Sequence, residues 1–153
     1  MTLQNLFKIG RLKPHTATPQ EIQRLLAAAA RNLADAAIDG LSDESRFDIA
    51  YKAIMQLALV AMMASGYRPS TNEPGHHQTM IQSLPLTLGL ANDTWVVLDA
   101  LRRKRNVADY HGDPIEPEAV AECLAQATAL QEKTREWLEQ GHPELLQAPP
   151  QNP

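Results

Sequence analysis

From Ile22 to Ala36 the apolar positions fall three or four residues apart: Ile22, Leu25, Leu26, Ala29, Leu33 and Ala36. That spacing marks one face of an amphipathic helix. Thr18, Pro19 and Glu21 predict its start as a capping box with proline in the first turn, and Gly40 predicts its stop near Asp39. Ser42 predicts the cap of a second helix, with Asp43 and Glu44 favourable beside its N-terminus. Its first half is amphipathic through Phe47, Ala50, Tyr51 and Ile54. Its second half, Leu57 to Ala64, is apolar on every side, and Gly66 ends it. A helix apolar all round belongs at the centre of a bundle or under a partner.

The segment from Tyr67 to Gly75 reads as one long loop of turn residues. A third helix begins near His76, buries Met80, Ile81 and Leu84, and is limited or kinked by Pro85. A fourth, capped by Asn92 or Asp93, runs through Trp95, Leu98 and Leu101 towards Tyr110, closed by Gly112 and Pro114. A fifth starts at Pro117 and carries the seam Val120, Leu124, Ala127, Leu130, Thr134 and Trp137. The expectation is an all-α, up-and-down bundle of about five helices. Residues 1–17 form an arm or short helix, 18–141 the bundle domain, and 142–153 a disordered tail.

Composition sharpens the fold class. Among the 153 residues Ala and Leu number 42, whereas Val, Ile, Phe, Tyr and Trp together number 19. The first pair suits helices and the second group suits strands. A formal charge of −4 argues against a whole surface built for phosphate backbones, so any nucleic-acid role needs a local basic patch. The lone Cys123 excludes an internal disulfide and a Cys-rich zinc module, and reads as a buried structural thiol. No signal-peptide pattern opens the chain, and the apolar run from Ala53 to Gly66 is shorter than a membrane span. The expected setting is the cytoplasm, with no membrane.

The dense basic cluster is Arg102-Arg103-Lys104-Arg105, followed by Asn106 and, further on, Asp109, Tyr110 and His111. Arg105 falls inside the apolar stripe of Leu98, Leu101 and Ala108. It therefore requires either a partner, such as Asp109 one turn on, or a wet cleft. Cations near a helix C-terminus are also favourable in themselves. Arg105 and His111 together suit phosphate chemistry: an arginine steadies charge on a phosphoryl group and a histidine moves protons near neutral pH. No metal or other cofactor is called for. The neighbours His76 and His77 do not share a helix face, which disfavours one shared metal ion. A further option places either one at the rim of the Arg105 cleft.

Arg105-Asn106-(x)4-His111 resembles the Arg-(x)4–6-His motif of HEPN domains. The likeness extends over roughly residues 20–140. It includes the pattern of the first helix, the Phe47…Ala50-Tyr51-Lys52-Ala53 segment, Gly66-Tyr67-Arg68, and Gly75-His76-His77 at the start of a helix. The resemblance implies a helical bundle that dimerises or pairs with a nucleotidyltransferase-like protein. In active, toxin-type members it implies a metal-independent RNase. Arg105 would then hold the phosphate of RNA, His111 would act as acid or base, and Asn106 would orient one of them. Asp109, Tyr110, Arg102, His76 and His77 would support the site. Ala108-Asp109-Tyr110 also resembles the signature of noncatalytic members, which serve as binding modules.

Overall fold

The computed structural model describes residues 1–71 and 75–148, and its architecture is all-α with one small ladder of strands. Helix α1 spans Leu3–Lys8, α2 Pro19–Ala36, α3 Asp43–Ala64, α4 His76–Gln82, α5 Leu84–Thr87, α6 Asn92–His111 and α7 Pro117–Gly141. The expected helix starts at Thr18 and Ser42 are present. Thr18 and Glu21 form the capping box of α2, and the Ser42 side chain accepts from the Ser45 amide at α3. The expected cap of α6 differs. Ala91 occupies the cap position, and Asn92 instead accepts a hydrogen bond from the Trp95 indole at 3.2 Å.

Helix α3 is the axis of the molecule. It packs chiefly on α2 and α7, and its residues from Phe47 through Met63 supply twelve of the buried side chains. It is long and apolar enough to cross a membrane, but 67% of that apolar stretch is buried inside the bundle. Its hydrophobicity is therefore used by the core. On α7 the buried face is Val120, Cys123, Ala127, Leu130, Thr134 and Leu138. Leu124 and Trp137, expected in that seam, are only half-buried.

Two segments depart from the expected pattern. The expected loop after Gly66 begins instead as strand β2, Tyr67–Pro69, paired antiparallel with β1, Leu12–Pro14. The ladder continues through His15 N–H to the Gly66 carbonyl and Ser70 N–H to the Arg11 carbonyl, each at 2.9 Å. Gly66 takes φ +97°, the left-handed turn that reverses the chain from α3 into β2. Short isolated strands of this kind are set by tertiary contact: Leu12 is 2% exposed and anchors the arm on the core. The expected tail also starts later, because Pro143–Leu146 form a 3-10 turn with Leu145 buried. The Gln23 side chain donates to the Leu145 and Gln147 carbonyls at 3.1 and 2.6 Å. Residues 149–153 of that tail, and 72–74 of the loop, lie outside the described residues.

Candidate functional site

Helix α3 turns a row of side chains outward above its buried face. Asp48, Lys52 and Gln56 recur every four residues, flanked by Tyr51, Met55 and Leu59 on the neighbouring row. Helix α4 brings His76, His77 and Met80 against this row, α6 brings Arg105, and the β2 end brings Pro69 and Thr71. Together these residues enclose a cleft of about 540 Å³. That volume falls in the range of small-molecule sites.

Arg105 is held from several sides. Its Nε donates to Asp48 Oδ1 at 3.0 Å and lies 3.7 Å from Asp109 Oδ2. Its guanidinium carbon sits 5.0 Å from the centroid of the Tyr51 ring, a cation–π arrangement. Burial works against its charge, yet the Asp48 hydrogen bond and the charges of Asp48 and Asp109 outweigh it, so its pKa lies above the ordinary value. The Arg105 side chain is 29% exposed, so it is fixed and still open to the cleft.

Tyr51 is 2% exposed, and burial pushes its phenol up to about 12 against the pull of Arg105 and Arg102. It stays protonated at neutral pH. Its oxygen is 3.3 Å from Nδ1 of His77. Burial lowers the pKa of His77, helped by His76, Arg105 and Arg102, so the neutral imidazole is favoured. In the tautomer with its proton on Nε2, His77 accepts the Tyr51 O–H at Nδ1 and presents a donor elsewhere. The His76 and His77 rings meet edge to face with centroids 4.7 Å apart.

A second, smaller hollow of about 300 Å³ opens on the other side of Arg105, towards the end of α6. Glu44, Asp48, Asp109 and Asp113 bring four carboxylates to it, with Phe47 and Ile115 as apolar wall. His111 lines neither hollow. It is the last residue of α6, exposed, just before Gly112 closes the helix at φ +68°. Six residues along an α-helix place it about 9 Å from Arg105 along the axis and roughly 120° around it. Asn106 is half-buried and also lines neither hollow, and Tyr110 is 84% exposed.

The structure thus brings His76 and His77 to Arg105, and sets His111, Asn106 and Tyr110 apart from its larger cleft. Asp109 does pair with Arg105, but at a longer distance than Asp48. Arg102 is turned to Asp99 instead, at 2.9 Å, with Arg103 completing that pair at 3.5 Å. Sequence spacing points to neither Asp48 nor Lys52 as a site residue. The available signal was two charged residues one turn apart on an otherwise core helix, flanking a tyrosine whose buried hydroxyl requires a partner. Among the described residues no group of three metal-binding side chains comes together. Cys123 is buried, which pushes its thiol up to about 12, with Glu122 adding to the shift. Such a thiol is a poor nucleophile.

Neither a family model nor a curated protein matches the chain.

Proposed function

We propose that this chain is a HEPN-like helical module that acts by binding, as a homodimer or with a nucleotidyltransferase-like partner in the cytoplasm. In this reading Arg105 and His111 do not form an RNase site. The observation that carries it is the set of four carboxylates, Glu44, Asp48, Asp109 and Asp113, in the hollow on the α6-terminal side of Arg105. A phosphodiester seated on Arg105 in this hollow would meet like charge, and His111 does not line it. The ties of Arg105 to Asp48, Asp109 and Tyr51 give it a structural role in addition.

The test pairs two variants with the wild-type protein, each assayed for thermal stability and for cleavage of single-stranded RNA in chelator. Wild type and His111→Ala should both leave RNA intact and melt alike, while Arg105→Ala should melt lower. Cleavage by the wild type that falls on the order of 10² to 10⁴-fold in His111→Ala would overturn the binding reading in favour of a metal-independent RNase. Light scattering should give a dimer mass at micromolar concentration, or a partner should co-purify. A monomer with neither counts against the assembly.

A further inference from the structure

The cleft bounded by Tyr51, His77 and Arg105 joins two features. One end carries cations from two helices, Arg105 on α6 and Lys52 on α3. The rest is chiefly apolar, through Met55, Leu59, Met80 and Pro69. Among the described residues Arg105 hydrogen-bonds to protein through Nε, which leaves its terminal nitrogens for another acceptor. The Asp48 bond and the Tyr51 face fix the guanidinium in advance, so little ordering remains for a ligand to impose. Of the charged groups that line the cleft, Arg105 and Lys52 are cationic and Asp48 is anionic, whereas Asp109, 3.7 Å from Arg105, lines the other hollow. His76 and His77 stand beside this end as further polar partners.

We infer that this cleft binds a small organic oxyanion, with its phosphate or carboxylate at Arg105 and Lys52 and its apolar body over Met55, Leu59 and Met80. This rests on the binding reading above and gives it a ligand class. The opposite hollow, with its four carboxylates, is the wrong electrostatic environment for the same group. An inorganic anion alone would leave the apolar part unused, and a neutral apolar molecule would leave the guanidinium unpaired.

The five histidines supply a built-in locator: His76 and His77 line the cleft, and His15, His111 and His142 do not. The experiment is an NMR titration of the histidine ring signals of the full chain. The probes are phenyl phosphate, benzoate, inorganic phosphate and phenol, up to about 10 mM, where fragment-sized ligands saturate. Phenyl phosphate or benzoate should shift the His76 and His77 signals saturably and leave His111 unmoved. The tighter of the two identifies the oxyanion. Inorganic phosphate and phenol should each bind at least about tenfold more weakly, since each supplies one half of the contacts. Arg105→Ala is expected to lower stability, so Lys52→Glu is the informative variant: its side chain is exposed, and it should weaken the preferred probe about fivefold or more while the melting temperature falls only slightly, as for one like-charged pair four residues apart on a helix. The inference is overturned by phenol or inorganic phosphate binding as well as the combined probes, by shifts centred on His111, by no saturation, or by indifference to Lys52→Glu. Failure of the broader binding reading shows separately, as His111-dependent RNA cleavage.

Discussion

The two hollows beside Arg105 share that residue and Asp48, yet they are opposite environments. One has Lys52, two imidazoles, a buried phenol and an apolar floor, and the other has four carboxylates. The guanidinium is the hinge between them. On the acidic side its task is to neutralise a crowd of negative charge that would otherwise repel itself across α3 and α6. On the Tyr51 side the same cation is presented to open space. A single side chain can therefore be structural in one direction and available for binding in the other. The difference is set by what the neighbouring helices place around it, not by the identity of the arginine.

The strongest way to break this arrangement is to remove the platform under it. Tyr51→Ala deletes a ring that is 2% exposed, and large-to-small core changes of this kind cost about 3–5 kcal/mol. Chemical denaturation should show that loss, with the cleft histidine signals displaced as well. Arg105→Ala should come next, at about 1–2 kcal/mol. It forfeits a charge-assisted hydrogen bond and a cation–π contact, but both Arg105 and Asp48 are partly solvated. Because it leaves four carboxylates without their cation, the loss should shrink as salt is raised. A loss independent of salt would show that the acidic side contributes little to the role of Arg105.

Tyr51→Phe is a finer probe, since it keeps the ring and removes only the hydroxyl facing His77. A cost of about 0.5–1.5 kcal/mol is expected. His77 sharpens the comparison through pH. Its folded-state pKa lies below its unfolded value, so the folded protein binds fewer protons than the unfolded chain around those values. Its contribution is present above the ordinary histidine pKa and is lost as pH falls through the folded pKa. Wild-type stability should therefore decline on mild acidification, and His77→Gln should flatten that decline; identical pH profiles would remove His77 as the cause. The smallest effect belongs to His111→Ala, within about 0.5 kcal/mol by thermal melting, as for an exposed side chain that lines neither hollow.

Much of the scaffold was legible along the chain because its signals are local. The Thr18–Glu21 capping box, the Ser42 cap, the prolines opening α2 and α7 and the all-round apolar half of α3 each act within a turn or two. The strand pair was not legible, since Leu12–Pro14 and Tyr67–Pro69 are far apart in sequence and neither has a pattern that demands a sheet. The packing of Leu145 against the bundle was hidden for the same reason: the short run before the terminal prolines gains its order from Gln23 on α2.

The site divides along the same line. Sequence by itself determined that Arg105, placed within an apolar stripe, had to find a partner or a cleft, because an isolated charge there is too costly to leave unsolvated. It also determined a set of helices in which α3 had to be covered, at the centre of a bundle or under a partner, because its second half is apolar on every side. Only the tertiary structure decided which carboxylate answers Arg105. Asp48, 57 residues away, lies nearer than Asp109, four residues away. Only the tertiary structure brought His76 and His77, rather than His111, to the same cleft. Spacing along one helix fixes where a side chain leaves its own axis. What that side chain meets is decided by the other helices packed around it.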